Sequence, residues 1–230
     1  MRIQGFQKTS LIDYPKNICS VIFLPGCNFR CGYCHNPELV IDEGINDVME
    51  GWLLNKLEER KGLVDSVCIT GGEPTLHKDL PEFIKKLKDK GLKVKLDTNG
   101  SNPEILKQLI KNKLVDFIAM DVKNVLEKYE NTINSKISSD IIKESIKIII
   151  RSGLEHEFRT TILPILHKKE DVIKIAKTVA GANKYVIQQF VPTEKILDKN
   201  FSKETVYNEK ELEEIRKECD RYVKTEIRNL

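Results

Sequence analysis

The sequence predicts an α/β protein whose parallel strands form a partial, open (β/α)6 barrel. Short apolar runs with the composition of buried strands alternate with amphipathic helix patterns along the chain. This alternation is typical of parallel βαβ units joined by right-handed crossovers. About six such units can be identified, whereas a full barrel of eight units takes about 250 residues. The chain, with 230 residues, therefore fits an incomplete barrel better.

The predicted elements follow one another in a regular order. The first strand, residues 18–24, is hydrophobic along almost its whole length, as expected for a strand buried on both faces. A helix over about 47–60 follows it. Further on, Gly91 ends one helix as a C-cap, and Pro103 stands in the first turn of another. The other predicted strands are residues 64–70, 92–96, 115–120, 157–163 and 184–190, and the other predicted helices are residues 80–90, 103–112, 140–152, 171–180 and 210–223.

We expect a single domain over residues 1–230, with core elements over about 16–192 and a helical C-terminal extension over about 193–230. Two polar stretches, 128–139 and 193–208, are predicted as long loops.

The 38 basic and 35 acidic residues nearly cancel, so charge favours neither a nucleic-acid nor a membrane partner. No apolar run reaches the ~18 to 20 residues that span a bilayer. The first residues lack the apolar segment of a secretion signal, so we expect a cytoplasmic protein.

Cys27, Cys31 and Cys34 stand at CxxxCxxC spacing in the loop after the first predicted strand. Three thiolates at this spacing suit an iron–sulfur cluster with one iron left unligated. A cluster that only carries electrons normally takes four cysteines. A structural zinc closes all four positions, and His35 is the fourth ligand that this alternative would use. The other cysteines are scattered, and Cys19 and Cys68 are expected in the core.

With Tyr33 before its last cysteine, this run resembles the signature of the radical S-adenosylmethionine (radical SAM) enzymes. The resemblance implies an open (β/α)6 barrel of the radical SAM type and a 4Fe-4S cluster on the three cysteines. It also implies that S-adenosylmethionine chelates the open iron, and that reduction of the cluster releases a 5′-deoxyadenosyl radical. Tyr33 and His35 flank the third cysteine, where stacking or hydrogen bonding to the adenine is expected.

Further polar segments follow the predicted strands at their carboxyl ends, where parallel α/β folds form their active sites. The first is Gly71-Gly72-Glu73. The two glycines allow close backbone approach. The resemblance implies that this segment holds the amino group of S-adenosylmethionine, to which a carboxylate and carbonyl oxygens are suited. The alternative for Glu73 is a residue of a surface turn.

The next segments match a narrower set, the glycyl-radical-enzyme activases, in which they serve the cofactor. Asp97, Thr98 and Asp121 are hard oxygen donors, so a monovalent cation near Asp97 and Asp121 is a further hypothesis. Lys123 suits a carboxylate or the ribose hydroxyls. Arg159 lies within an apolar strand and needs a partner there, either a ligand carboxylate or a neighbouring acidic loop.

The glutamines after the last predicted strand and the remaining histidines are less informative about function. The formate-lyase activases tend to carry a histidine after the last strand, whereas this chain has Gln188 and Gln189. The residues on the adenine and ribose side are therefore unassigned, with Gln189 as a candidate. His77, His156 and His167 show no metal-binding spacing and are expected as ordinary surface or loop residues.

The segment 8–15, together with residues 27–39, resembles the activating proteins of anaerobic ribonucleoside-triphosphate reductase. The resemblance implies that this protein abstracts a hydrogen from a glycine of a partner reductase and takes its electron from a donor such as flavodoxin or ferredoxin. Residues 13–15 fit a contact with the partner enzyme and a simple turn before the first strand equally well. Four other functions stay open: activation of a pyruvate formate-lyase-like enzyme, a radical SAM reaction on a small molecule, electron transfer by an iron–sulfur protein, and a zinc-stabilised nucleic-acid module.

Overall fold

A computed structural model describes residues 1–41 and 47–228 of the chain. In these residues eight strands form one sheet, and their order in the sheet follows the chain. Numbered in chain order, the strands are β1 (Gly5–Ser10), β2 (Cys19–Leu24), β3 (Ser66–Gly71), β4 (Lys93–Thr98), β5 (Phe117–Asp121), β6 (Glu155–Ile162), β7 (Tyr185–Gln189) and β8 (Thr225–Arg228).

Helices separate most of these strands. The described residues include short 3-10 helices at Pro74–Leu76, Leu126–Lys128 and Lys199–Lys203. No helix in the described ranges is both long and apolar enough to span a membrane. The α-helices are α1 (Pro37–Ile41), α2 (Glu50–Glu59), α3 (Leu80–Asp89), α4 (Pro103–Lys111), α5 (Tyr129–Ile133), α6 (Ser139–Arg151), α7 (Lys169–Thr178) and α8 (Glu209–Asp220).

The strand pairing is mainly parallel. Strand β1 is antiparallel to β2, with Gly5 opposite Phe23. Strands β2, β3 and β4 are parallel, and their register places Cys68 between Val21 and Lys95. Strands β6, β7 and β8 are also parallel. These pairings confirm the predicted α/β class with parallel strands in an open sheet.

The chain divides into two compact units. The first unit comprises residues 1–28, 38–98 and 104–118. Its core combines strand residues with residues from the amphipathic helices, because both element types bury one apolar face. Cys19 and Cys68 are fully buried, as predicted. Other fully buried side chains of this unit include Ile22, Leu53, Ile69, Ile84, Leu96 and Leu106.

The second unit comprises residues 29–37, 99–103 and 119–230. Strands β6 to β8 and helices α5 to α8 lie in it. Arg228 on β8 forms two hydrogen bonds with the buried Glu157 carboxylate on β6, at 2.9 and 2.7 Å. The fully buried apolar side chains of the second unit include Tyr129, Ile149, Phe158, Val172, Ile187 and Leu212.

Several elements differ from the sequence prediction, among them the unpredicted helix α1 and the 3-10 helix Lys199–Lys203 inside the predicted loop 193–208. Strands β1 and β8 were not predicted, because their residues are mostly polar and only partly buried. Strand β8 also lies in the segment predicted as a helical extension. The predicted loop 128–139 contains helix α5, which buries Tyr129 and Ile133.

Candidate active site

In the first unit, Gly71 at the end of β3 and Gly72 after it lie very close to the backbone of a neighbouring segment. Gly71 has a φ of +123°, and a Cβ there would lie 2.4 Å from the carbonyl oxygen of Leu24. A Cβ on Gly72 would lie 1.9 Å from the carbonyl oxygen of Gly26. Both positions therefore require glycine, because backbone atoms cannot retreat as a flexible side chain can.

Residues 25–36, which carry Cys27, Cys31 and Cys34, form the cysteine loop. Three hydrogen bonds hold its first residues in the first unit. The amide of Gly26 donates to the carbonyl of Leu39 at 2.7 Å, and the amide of Glu73 donates to the carbonyl of Gly26 at 2.7 Å. His77 Nε2 donates to the carbonyl of Pro25 at 2.8 Å. His77, expected as an ordinary residue, thus fixes the chain two residues before Cys27. In the sequence, only the position of His77 four residues after Glu73 could have indicated this role.

The Glu73 carboxylate lies inside the first unit rather than on a surface turn, since the residue is fully buried. Its Oε1 atom accepts hydrogen bonds from the Thr75 amide at 3.0 Å, the Thr75 hydroxyl at 2.5 Å and the Thr98 hydroxyl at 2.8 Å. The Glu73 side chain therefore connects the carboxyl ends of β3 and β4.

Asp97 and Thr98, predicted in a loop, are the last residues of β4. Asp97 is largely buried, and its carboxylate forms an ion pair with the ammonium group of Lys95. The sequence analysis did not identify Lys95. Its one signal was its position on the same strand two residues earlier, which places both side chains on the same face of β4.

In the second unit, Asp121 at the end of β5 pairs with two cationic side chains. Arg159 Nε donates to Asp121 Oδ1 at 2.8 Å, and Lys123 Nζ donates to Asp121 Oδ2 at 3.0 Å. Burial alone would raise the pKa of Asp121, but Arg159 and Lys123 hold this pKa well below its ordinary value. Of the two partners considered for Arg159, the neighbouring acidic group is the one it contacts.

The backbone of Lys123 is held by two buried side chains. His167 Nε2 donates to the carbonyl of Lys123 at 2.8 Å, and the amide of Lys123 donates to the Tyr129 hydroxyl at 3.3 Å. The Leu163 amide donates to His167 Nδ1 at 3.2 Å, so this nitrogen carries no proton.

Two of the histidines were misjudged from the sequence. His167 is fully buried, and burial lowers its pKa. His156 is 4% exposed, and burial lowers its pKa as well. His167 lies in a loop, as expected, but is not at the surface; for His156, which is buried within strand β6, the expectation of a surface or loop residue was wrong.

The later part of the cysteine loop lies in the second unit and packs against residues 190–201. The Tyr33 ring lies edge-on to Phe190 and Phe201, with centroids 6.5 and 6.2 Å away. The amides of Leu197 and Asp198 donate to the carbonyls of Cys34 and Gly32, at 3.1 and 2.8 Å. The predicted loop 193–208 thus binds the cysteine loop, which its polar composition did not indicate.

Two candidate adenine-contacting residues and Gln189 lie near this segment. The His35 ring lies 5.2 Å from the Phe190 ring, and its Nε2 donates to the carbonyl of Val191 at 2.9 Å. Gln189 donates to the carbonyl of Tyr207 at 2.5 Å. Among the described residues, the buried Tyr33 hydroxyl and Gln189 Oε1 have no hydrogen-bond partner. Burial raises the pKa of Tyr33.

None of the six cysteines is in a disulfide bond, so Cys27, Cys31 and Cys34 provide three thiols in one loop. This donor set fits an iron–sulfur cluster, since thiolates are the ligands that such clusters take. Within residues 1–41 and 47–228, no three His, Cys, Asp or Glu side chains are already arranged to hold a metal ion. The ligand role of the cysteines therefore depends on their chemistry and spacing.

The chain is similar to known proteins over most of its length. The family model of the radical SAM superfamily matches residues 21–180. A protein of Methanocaldococcus jannaschii, provisionally assigned as a glycyl-radical enzyme activating enzyme, is 39% identical over 226 residues, which cover 96% of this chain and 92% of that protein. The pyruvate formate-lyase-activating enzyme of Clostridium pasteurianum is 26% identical, with 97% of each chain covered.

Solved structures share the fold. Streptococcus suis SuiB bound to S-adenosylmethionine superposes with a TM-score of 0.68 at 16% sequence identity, covering 91% of this chain and 52% of SuiB. A domain of a pyruvate-formate lyase-activating enzyme from Bacteroides vulgatus gives a TM-score of 0.58 at 15% identity, covering 71% of this chain and 98% of the domain. The chain thus spans about half the length of SuiB, and at these identities the likeness concerns the fold alone.

Proposed function

Because this chain belongs to the radical SAM superfamily and, within it, to the glycyl-radical enzyme activating enzymes, we propose that it cleaves S-adenosylmethionine to generate a glycyl radical on a partner enzyme. The superfamily implies a 4Fe-4S cluster and S-adenosylmethionine as cofactors. We assign the cluster to Cys27, Cys31 and Cys34. The proposal places the reaction in the cytoplasm, where thiols stay reduced.

One observation supports this assignment above the others. The 2.7 Å hydrogen bond from the Glu73 amide to the carbonyl of Gly26 joins the glycine-rich segment to the residue before Cys27. In a radical SAM protein the cluster and the methionine end of the cofactor must be adjacent, and this bond fixes the two segments of the first unit next to each other. The bound cluster would pass on an electron from an external donor and S-adenosylmethionine would supply the radical, while the protein binds, orients and excludes water.

The candidate residues of each unit have separate proposed roles in cofactor binding. In the first unit, Gly71, Gly72 and Glu73 would position backbone carbonyls toward the cofactor's amino group, with Thr98 held by the Glu73 carboxylate. In the second unit, Lys123 and Arg159 would provide positive charge for the cofactor's carboxylate or ribose. Tyr33 and His35 would contact the adenine.

The proposal does not include the monovalent cation that the sequence suggested near Asp97 and Asp121. Both carboxylates already have cationic side-chain partners, Lys95 for Asp97 and Lys123 with Arg159 for Asp121. These ion pairs compete with a bound cation for the same oxygens.

Cofactor cleavage tests the chemistry. Anaerobically reconstituted and reduced protein should convert S-adenosylmethionine to methionine and 5′-deoxyadenosine, and Cys31→Ala should abolish this turnover. Cys219→Ala is the matched control, because Cys219 is buried on α8 with its Sγ 3.8 Å from the Val172 carbonyl. Full turnover by Cys31→Ala would refute the cluster assignment.

We propose anaerobic ribonucleoside-triphosphate reductase as the partner, from the resemblance of residues 8–15 and 27–39. A pyruvate formate-lyase-like partner is the second candidate, because a pyruvate formate-lyase-activating enzyme matches along the whole chain. Each candidate should be incubated with reduced activase and cofactor, and the glycyl radical measured by electron paramagnetic resonance. A signal with the lyase but not with the reductase would reverse the ranking. Flavodoxin and ferredoxin can be compared as electron donors in the same assay.

A further inference from the structure

Lys95 is a lysine buried in the middle of the first unit. The residue is 1% exposed. Its ammonium group pairs with Asp97, lies 3.6 Å from the Cys68 sulfur and 6.0 Å from the centre of the Phe117 ring. A buried ammonium group is costly unless it is paired. A charged side chain thus stands at a core position where an apolar side chain would be less costly to bury.

Asp97 is poorly suited to bind a resident metal cation. The Lys95 ammonium already supplies one positive charge in direct contact with its carboxylate. A Na⁺ or K⁺ ion on the same carboxylate would stand close to that ammonium group in a largely water-free environment, where like charges repel strongly. The residues present at Asp97 thus do not fit the cation hypothesis.

We propose that Lys95 is a positioning residue whose ammonium group takes the place of a monovalent cation at Asp97. It holds the carboxylate at the end of β4 and neutralises it, next to Thr98, whose hydroxyl donates to Glu73 at 2.8 Å. The consequence for cofactor binding rests on the proposed function: binding of S-adenosylmethionine should be independent of Na⁺ and K⁺.

The first test needs neither cluster nor cofactor. The melting temperature of the full chain is measured in NaCl, KCl and choline chloride at equal ionic strength. Wild type should melt within about 1 °C in all three salts, since the Lys95 ammonium group already occupies the place of a cation at Asp97. Lys95→Met leaves the Asp97 carboxylate buried without the ammonium group, so this variant should melt lower in choline and recover in NaCl or KCl.

Two control variants make the interpretation specific. The double variant Lys95→Met/Asp97→Asn lacks both charges and should show no recovery in NaCl. Lys88→Met removes the lysine of a partly exposed ion pair, Lys88 to Asp116 at 2.7 Å, and should respond equally to all three salts. A saturable increase of the wild-type melting temperature with Na⁺ that Asp97→Asn abolishes would overturn the proposal. Failure of Na⁺ to restore Lys95→Met would overturn it too.

The second test uses protein reconstituted with its cluster. Equilibrium binding of S-adenosylmethionine to wild type should change less than about twofold between choline and NaCl. Lys95→Met should bind about tenfold more weakly in choline and regain affinity in NaCl. If Lys95→Met does not fold, the wild-type measurements still test the proposal, because they show whether Na⁺ or K⁺ changes the melting temperature or the affinity for S-adenosylmethionine. Absence of S-adenosylmethionine cleavage would defeat the proposed function and leave the melting result intact, so the two failures are distinguishable.

Discussion

Gly72→Ala tests whether the glycine-rich segment and the cysteine loop are built as one unit. The added Cβ would lie 1.9 Å from the carbonyl oxygen of Gly26, whereas real contacts stay above 3.0 Å. The Gly26 carbonyl must therefore move by at least 1.1 Å, the difference between these two distances. Such a movement would break the 2.7 Å hydrogen bond that the Glu73 amide donates to it.

The expected loss of stability has two parts. An unsatisfied buried amide costs about 1–3 kcal/mol, and overpacking costs about 1–3 kcal/mol. Together they predict a decrease of about 4 kcal/mol in the free energy of unfolding, which urea denaturation followed by circular dichroism measures. Because Gly26 precedes Cys27, iron incorporated on anaerobic reconstitution should also fall.

Gly51→Ala is the matched control. Gly51 lies in α2, and nothing stands within 4 Å of its added Cβ. Alanine in place of glycine in a helix should stabilise the protein by up to about 1 kcal/mol. If Gly72→Ala lost less than about 1 kcal/mol and bound the wild-type amount of iron, the close approach of these backbones would not matter.

Three further predictions concern the second unit. Asp121→Asn should lower the free energy of unfolding by about 2 kcal/mol at pH 7, because Arg159 and Lys123 stabilise the charged carboxylate and so lower the pKa of Asp121. This contribution exists above about pH 4 and is lost as the pH falls. Urea denaturation should therefore show the difference from wild type shrinking in acid. Burial lowers the pKa of His167, so wild type should lose stability as the pH falls below about 6.5. His167→Gln should reduce this dependence in the same assay, with His156, whose pKa burial also lowers, accounting for the remainder; an unchanged profile would contradict a neutral His167. Tyr33→Phe removes a buried hydroxyl without a partner and should raise the free energy of unfolding by about 1 kcal/mol; a decrease would mean that the hydroxyl makes a hydrogen bond.

A helix or strand could be predicted from the sequence where its own hydrophobic pattern determines which of the two it forms. Strand β2 is almost continuously apolar, so its burial and its position before the cysteine loop followed directly. Strands β1 and β8 were missed because these edge strands are largely polar, and pairing with a neighbour is what makes them strands.

For the candidate site, residue types in sequence motifs were predictable, whereas residues that act through packing were not. Gly72 was identified because Gly71-Gly72-Glu73 is one of several polar segments that follow predicted strands after the cysteines, although such a segment alone fits an ordinary turn. Lys95 and His167 were not, because lysine and histidine are usually exposed and only the tertiary structure buries them. Arg159 shows both sides: its need for a partner was predictable, and the choice of Asp121 depended on which strand ends are neighbours.

The packing of residues 190–201 on Gly32, Tyr33 and Cys34 has a consequence for the order of assembly. The ribosome makes the cysteines early and the residues that hold this part of their loop late. Until Leu197, Asp198 and Phe201 have been synthesised, the carbonyls of Gly32 and Cys34 lack their final partners. Thiols on a nascent chain are therefore more accessible than in the finished fold. Delivery of iron and sulfide during or shortly after translation would meet a less restricted loop than delivery to the mature protein.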